Sequence, residues 1–318
     1  MSEGKVQIID VRRQSSALLD ALRQRSLADV SPEVEQAVRQ IVDRVRAEGD
    51  AALLEYGRRF DCPTLELDDL RVPDQELEAA YAEVSPEWIG AFRRAKENIY
   101  AFHERLRPTS WLDSFDGMWL GQKVTPLAAV GLYVPAAKAP LPSTVAMTAV
   151  PARVAGVTRL VLATPPRRDG TLDPTMLVAA AECGVDEVYR MGGAQAVAAL
   201  AYGTDTVERV DKIVGPGNPY VILAKREVFG VVGIESLPGP SESLIIADGQ
   251  ADPVLVAADL LSQAEHTGDN LVILLTPDQT LAEAVRDEAY RQLMVLPRME
   301  LTSASLGDYG VIAIVQDL

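Results

Sequence analysis

The sequence is poor in the side chains that most often carry metal and redox chemistry, and in clustered positive charge. It has two histidines and two cysteines, Cys62 and Cys183, which give no disulfide framework and no CxxC motif. Lysine and arginine number 30 against 46 acidic residues, a formal net charge of −16. That balance argues against nucleic acid and against an anionic membrane surface as partners.

Long hydrophobic runs are also missing. No stretch approaches the roughly 20 apolar residues that a membrane span needs, and Met1 to Lys5 lack the apolar core of a signal peptide. What remains is an ordinary globular composition, 48% hydrophobic and 24% charged. A length of 318 residues suits two or three domains. With unpaired cysteines, a cytoplasmic location is the simplest expectation.

The N-terminal third of the chain is predicted to be helical. Ser31-Pro32-Glu33 and Ser85-Pro86-Glu87 each combine a serine cap, a proline and an acid, the pattern of a helix start. Trp88, Phe92 and Tyr100 follow the second start at helical spacing. We expect these aromatic side chains to pack in a core or an interface.

From Val124 onward, short β-branched runs alternate with helical segments. The predicted strands lie near residues 130–134, 160–163, 187–190, 212–214, 244–247, 271–275 and 311–315. Such alternation indicates parallel sheets with helices on both faces. A turn at residues 237–240 separates two blocks. The predicted fold class is therefore α/β, with two Rossmann-like, incompletely doubly wound parallel-sheet domains preceded by a helical region.

Two glycine-rich turns pass directly from a predicted strand into a predicted helix. They are Gly192-Gly193-Ala194-Gln195 and Gly215-Pro216-Gly217-Asn218. In open parallel sheets ligands bind beyond the carboxyl ends of the strands, where glycine lets backbone N–H groups approach a phosphate. Neither turn matches GxGxxG, and the chain has no P-loop. A tight turn without a ligand and a nucleotide site both stay open.

A second candidate site lies at the end of the apolar helix predicted from Pro253. Gln263 and His266 are three residues apart and share a helix face, so an amide oxygen and an imidazole nitrogen can form half of a zinc site. A helix end satisfied by hydrogen bonds is the alternative. Ser241 lies outside any GxSxG motif, which favours a hydrogen-bonding role. The other histidine, His103, is interpreted as structural.

Taken together, the motifs are more specific than any one of them. In chain order they read GLYVP at 131–135, MGGAQA at 191–196, VDKIVGPGN at 210–218, GPSE at 239–242 and DLLSQAEH at 259–266. This series resembles the histidinol dehydrogenase family. The resemblance implies a zinc-dependent, NAD-linked oxidation of L-histidinol to L-histidine through the aldehyde, by a homodimeric enzyme. Zn²⁺ would hold the imidazole and amine of the substrate as a template.

The resemblance also assigns roles by position. It implies NAD contacts at Tyr133, Gln195 and Asn218, a substrate contact at Ser241, and joint zinc and substrate contacts at Gln263 and His266. The family's catalytic Glu-His pair, its remaining Asp and His zinc ligands and its dimerisation segment would follow Leu318. We therefore expect a C-terminally truncated, inactive chain without a catalytic residue of its own, from a protein that is a homodimer when full length.

The expected domains are residues 1–125, helical and packing with 238–318; residues 126–237, binding NAD; and residues 238–318, carrying the zinc and substrate contacts. One departure from the family pattern is Ala136-Ala137, where the family usually has Gly-Gly. Two other functions stay open at this point. One is family chemistry on another small alcohol, and the other is a non-catalytic nucleotide-binding or interaction protein.

Overall fold

The structure is a computed structural model that describes residues 6–12, 31–136, 140–237, 241–266 and 270–318. It divides into two compact units. We call Val30–Leu237 the central unit, and Met1–Asp29 together with Pro238–Leu318 the terminal unit. Residue 137 of the Ala136-Ala137 departure lies outside the described residues, as do residues 238–240 of the predicted boundary turn.

The described secondary structure alternates between helix and strand along most of the chain. The helices are α1 Pro32–Glu48, α2 Asp50–Phe60, α3 Asp74–Ala80, α4 Pro86–Leu106, α5 Pro142–Val154, α6 Pro174–Glu182, α7 Gly193–Tyr202, α8 Pro219–Val228, α9 Pro253–Ala264, α10 Gln279–Leu293 and α11 Met299–Tyr309. The strands are β1 Gln7–Asp10, β2 Trp111–Phe115, β3 Met118–Gln122, β4 Ala129–Tyr133, β5 Arg159–Thr164, β6 Glu187–Arg190, β7 Lys212–Val214, β8 Gly233–Ile234, β9 Glu242–Ile246, β10 Leu271–Thr276 and β11 Gly310–Ile314.

The central unit is built around a five-stranded parallel sheet in the order β6-β5-β4-β7-β8. Successive side chains of a strand point to opposite faces, and both faces are covered. Val161 and Ala163 of β5 pack in a core with α1, α2, α7 and α8. Leu160 and Leu162 pack in a second core with α5 and α6. The predicted parallel sheet with helices on both faces is confirmed.

The described N-terminal helices belong to the central unit, together with the five-stranded sheet. Helix α1 turns a buried stripe, Val38, Ile41, Val42 and Val45, into the core that contains Val161. Apolar residues at this spacing form one face of a helix, and that face packs against α7 and α8 of the central unit. Of the described N-terminal residues, only 6–12 belong to the terminal unit.

Helix α4 and the hairpin after it carry large apolar side chains toward solvent. Phe92 is buried and stacks on Trp88, with ring centroids 5.1 Å apart, whereas Tyr100 is exposed. Strands β2 and β3 form a two-stranded antiparallel sheet that the sequence analysis did not predict. Their two-residue turn consists of Asp116 and Gly117, both at positive φ, as the type I′ turn of a hairpin requires.

The terminal unit has a four-stranded parallel sheet in the order β1-β11-β10-β9. Val272 and Leu274 of β10 pack with Ile312 of β11 in a core shared with α9 and α10. Strand β9 stands at the described edge, and its outward side chains Leu244 and Ile246 are 55% and 61% exposed. None of the described helices is long and apolar enough to cross a membrane.

Candidate functional site

The order of the central sheet creates one switch point, between β4 and β7. From β4 the chain moves outward through β5 and β6, then returns to the other side of β4 for β7 and β8. Ligands of open α/β sheets bind in the crevice beyond the carboxyl ends of the strands at such a point. Tyr133 ends β4 at this crevice, and the register that pairs Leu132 with Val214 sets Tyr133 opposite Gly215.

Gly215 is a position that only glycine can fill. Its φ of +118° lies in a region that other residues avoid, and a Cβ atom there would lie 2.0 Å from the carbonyl oxygen of Tyr133. The chain therefore turns sharply from β7 into the loop that precedes α8. This close approach joins the ends of the two strands that flank the crevice.

Tyr133 connects the end of β4 to the start of α7. Its hydroxyl oxygen accepts a hydrogen bond of 3.0 Å from the backbone N–H of Gly193. Burial raises the pKa of Tyr133 to about 12, against the opposing effect of that hydrogen bond. The phenol is therefore neutral at physiological pH and serves as a fixed polar contact in the wall of the crevice.

Gln195 lies in the first turn of α7 beside an acid that the sequence analysis did not single out. The side chain of Gln195 is 2% exposed, and its Nε2 donates a hydrogen bond of 3.4 Å to Oδ2 of Asp61. Asp61 follows the end of α2. Burial raises the pKa of Asp61 to about 6, although hydrogen bonds from the Gly192 backbone and from Gln195 act to lower it.

Asn218 begins α8 at the same edge of the sheet. Its Oδ1 accepts a hydrogen bond of 3.2 Å from the backbone N–H of Val221, so the residue is the N-cap of the helix. Its side chain is exposed. Tyr133 at the end of β4, Gln195 in the first turn of α7 and Asn218 at the start of α8 thus lie at the carboxyl edge of one sheet.

The same edge carries the amino ends of α7 and α8. The first N–H groups of a helix have no partner within the helix, and the helix dipole adds partial positive charge there. Both features favour a phosphate or another anion. The groups gathered at the switch point therefore suit a dinucleotide: two helix N-termini, glycine turns and polar side chains.

Ser241 and Gln263 both lie at the amino edge of the terminal sheet, whereas the nucleotide candidates lie at a carboxyl edge. Glu242 pairs with Leu271, so Ser241 lies next to the start of β10. There Nδ2 of Asn270 donates a hydrogen bond of 2.8 Å to the backbone oxygen of Gln263. His266 follows the end of α9 and is exposed, as is Ser241. These three predicted residues belong to one end of the terminal unit.

A zinc centre needs more donors than this edge supplies. The Nε2 atom of Gln263 is buried with no hydrogen-bond partner in the described part of the chain, which suits an amide whose partner is a ligand. However, residues 6–12, 31–136, 140–237, 241–266 and 270–318 contain no group of three His, Cys, Asp or Glu side chains placed to hold a metal. Gln263 and His266 are two donors where zinc takes four ligands, so the described residues do not complete a zinc site.

The comparisons with known proteins agree on one family. The histidinol dehydrogenase family profile matches residues 23–318. The chain is 56% identical over 282 residues to the histidinol dehydrogenase of Moorella thermoacetica, covering 88% of this chain and 66% of that protein. It is 49% identical over 314 residues to that of Synechococcus sp., covering 98% and 72%. The chain belongs to the histidinol dehydrogenase family.

A solved histidinol dehydrogenase, from Elizabethkingia anophelis, has the same fold. The TM-score is 0.91 at 35% identity, and the match covers 100% of this chain and 72% of that one. The chain thus spans about two thirds to three quarters of the length of these relatives. The resemblance read from the motifs and the α/β fold class are confirmed. The family is one of oxidoreductases in histidine biosynthesis.

Asp61 lines the crevice at the switch point, and sequence reasoning did not single it out. It meets Gln195 across 134 positions of sequence. Its only local signal is an acid directly after the last residue of a helix, Phe60, and acids in that place are common on solvated surfaces. Its neighbour Gln195 was found because it lies within a recognisable motif.

Proposed function

We propose that the protein is an NAD- and zinc-dependent histidinol dehydrogenase, which oxidises L-histidinol through the aldehyde to L-histidine. The observation that carries this proposal is the convergence of Tyr133, Gln195 and Asn218 at the switch point of the central sheet. Those residues follow three different strands of the sheet, and the family resemblance assigned them the contacts with NAD. Family membership adds the substrate class.

NAD, when bound, supplies the acceptor for the hydride that leaves the alcohol carbon. The chain's own part is to hold the cofactor. The N-termini of α7 and α8 offer N–H groups to the pyrophosphate. Tyr133 fixes Gly193 by its hydrogen bond, so the N–H groups that follow keep a constant direction. Asn218 orders the start of α8 through its cap and leaves its exposed amide to contact the nucleotide.

Gln263 and His266 are proposed to contribute two of the zinc ligands and, with Ser241, to contact the substrate. Because the described donor set is incomplete, no catalytic step through zinc is derived from it. We expect the 318-residue chain alone to bind NAD while leaving histidinol unoxidised. An assay of NADH absorbance with histidinol and zinc measures this, and ready turnover would contradict the assigned roles.

The protein is proposed to be a cytoplasmic homodimer, as family resemblance implies. Light scattering across a concentration series measures the mass of the assembly, and cell fractionation measures the location. A monomer at all concentrations, or recovery outside the cytoplasmic fraction, would contradict this part of the proposal.

Calorimetric titration of NAD into the purified chain and its variants tests the nucleotide site. Asn218→Ala should weaken binding about tenfold, a change of ~1.4 kcal/mol, since it removes both the exposed amide and the helix cap. Asn218→Asp keeps a cap acceptor but adds a negative charge where we place the pyrophosphate, so it should weaken binding further.

Ser85→Ala is the matched control for the loss of a cap. Ser85 Oγ accepts a hydrogen bond of 3.2 Å from Trp88 N at the start of α4, so this variant should lose a similar ~1 kcal/mol of stability. Its affinity for NAD should equal that of the parent. Unchanged affinity in Asn218→Ala would mean that the turn is only structural.

A further inference from the structure

An ion pair between a buried lysine and a partly exposed glutamate contacts the loop that precedes α8. Lys225 of α8 has a side chain that is 1% exposed, and its Nζ lies 2.7 Å from Oε1 of Glu235, which follows β8. Burial lowers the pKa of Lys225, and the adjacent carboxylate acts to raise it. A lysine is almost never fully buried unless it is paired, so the position of Lys225 depends on Glu235.

The pair binds both polar groups of one backbone residue. The N–H of Gly215 donates a hydrogen bond of 2.8 Å to Oε1 of Glu235. The carbonyl oxygen of Gly215 accepts a hydrogen bond from Nζ of Lys225. Donor and acceptor of the same residue are thus held by opposite charges. Charge-assisted hydrogen bonds are stronger than those between neutral groups.

Gly215 is the residue whose conformation decides where the following loop goes. Its φ of +118° and its close approach to Tyr133 set the direction in which residues 215–218 leave the sheet. Those residues end at Asn218, the cap of α8. A small rotation at Gly215 would move Asn218 and the first N–H groups of the helix away from the crevice.

Stability alone gives a weak reason for charges at this place. Replacing a buried ion pair by apolar side chains of similar volume is often neutral or stabilising, because desolvation opposes the attraction between the charges. What this pair does specifically is to fix the backbone conformation of Gly215. We propose that Lys225 and Glu235 are positioning residues that hold loop 215–218 in the conformation that receives the pyrophosphate of NAD.

This inference rests on the proposed nucleotide site and makes a separate claim about the loop. The test uses the double variant Lys225→Met/Glu235→Leu, which removes both charges and leaves neither partner unpaired. Two quantities are measured in the folded variant: the dissociation constant of NAD by calorimetry, and the hydrogen-exchange rates of the amides of residues 215–221. We expect at least tenfold weaker NAD binding and at least tenfold faster exchange at the N–H of Gly215.

The matched control is an ion pair at the other end of the same sheet. Arg159 and Glu187 lie 2.6 Å apart at the starts of β5 and β6, with side chains 19% and 14% exposed. Arg159→Met/Glu187→Leu should leave NAD affinity and the exchange of residues 215–221 within twofold of the parent. A general loss of stability would change both double variants alike, whereas loss of positioning changes only the first.

The outcomes separate the two claims. A folded Lys225→Met/Glu235→Leu variant with parental NAD affinity and parental exchange at Gly215 would overturn the inference. If the parent chain binds no NAD, the nucleotide site fails, and the exchange rates alone then decide whether the pair fixes the loop. If the double variant does not fold, the near-isosteric Glu235→Gln replaces it. That variant keeps an acceptor for Gly215, and we expect at least threefold changes in both measurements; parental values would again overturn the inference.

Discussion

The two parallel sheets differ in how completely the candidate site residues at their edges are buried and hydrogen-bonded. In the central sheet all five residues of β4 are buried, and Tyr133 at its end is held by the N–H of Gly193. In the terminal sheet β9 exposes alternate side chains, and the candidate ligands beside it are exposed or have an unpaired polar atom. The difference separates a preorganised candidate site for a nucleotide from a donor set that is incomplete for zinc.

The largest effect on stability is expected at Gly215, where the turn after β7 has no room for a side chain. Gly215→Ala places a Cβ atom 2.0 Å from the carbonyl oxygen of Tyr133 at a φ of +118°. Backbone strain and overlap each cost about 1–3 kcal/mol. We expect a loss of about 2–6 kcal/mol in the free energy of unfolding, measured by chemical denaturation.

Gly90→Ala is the control for this change of residue. Gly90 lies on an exposed part of α4, where an added Cβ atom meets nothing within 4 Å. This variant should gain about 0.5–1 kcal/mol, because glycine is a poor helix former. Equal stability of the two variants would show that the turn at Gly215 relaxes easily, and that the central edge is less rigid than the contacts imply.

Leucine-to-alanine changes in each sheet measure the contrast directly. Leu132 of β4 is fully buried between helices, so Leu132→Ala should cost about 3 kcal/mol through lost contacts and a cavity. Leu244 of β9 is 55% exposed, so Leu244→Ala should cost less than ~1 kcal/mol. Denaturant titration of both variants checks this. A loss at Leu244 as large as that at Leu132 would mean that β9 is covered in solution.

Asp61 gives the central edge a predicted dependence on pH. Its pKa in the folded chain is raised to about 6 from an ordinary value of 3.8. The folded state therefore binds the proton more tightly than the unfolded state, and stability falls as pH rises from about 4 through about 6. Asp61→Asn removes this cost. The free energy of unfolding of the variant, relative to that of the parent, should therefore be higher at pH 8 than at pH 4 by ~1 kcal/mol after allowance for solvent screening.

Asp169→Asn should show the opposite sign. Hydrogen bonds from the backbone and the side chain of Thr171 lower the pKa of Asp169, so its ionised form favours the folded state. That stability is present above the ordinary pKa and is lost as pH falls, and the variant should therefore lose stability at neutral pH only. Melting temperatures of the parent and both variants, taken at several pH values, give the comparison. If the melting temperatures of the parent and Asp61→Asn changed with pH in the same way, Asp61 would be hydrated in the folded chain and its pKa would not be raised by burial.

The local pattern of apolar residues was enough to predict most strands of the two parallel sheets. It was not enough to predict the edge strand β1. The strand predicted at residues 130–134 is observed as Ala129–Tyr133, and the one at 160–163 as Arg159–Thr164. Both consist of apolar runs followed by a helix, and that signal is local. Strand β1 has only four residues and gains its partner from β11, about 300 positions away in sequence, so nothing nearby indicates it.

The candidate site divides in the same way. The turn that contains Gly215 and Asn218 was found because a glycine-rich turn between a strand and a helix has a local signature, and the role of Asn218 came from the family resemblance. Lys225 and Glu235 were not, since an acid and a base ten positions apart fit a solvated surface equally well. Only the fold brings their charges to the N–H and the carbonyl oxygen of one residue, Gly215. Roles that depend on tertiary contact are therefore where sequence reasoning ends for this chain.

The smallest effect on stability is expected at the amino edge of the terminal sheet, where the variants test zinc binding. With Gln263 and His266 as its two donors, the 318-residue chain should hold less than one zinc per chain after dialysis against a weak chelator, as measured by elemental analysis. His266→Ala removes an exposed side chain and should change stability by less than ~0.5 kcal/mol. Its effect should be confined to lowering the residual zinc. His103→Ala, the only other histidine variant available, should leave the zinc content unchanged. One tightly held zinc per chain that survives His266→Ala would place the metal elsewhere and would remove the contrast between the two edges.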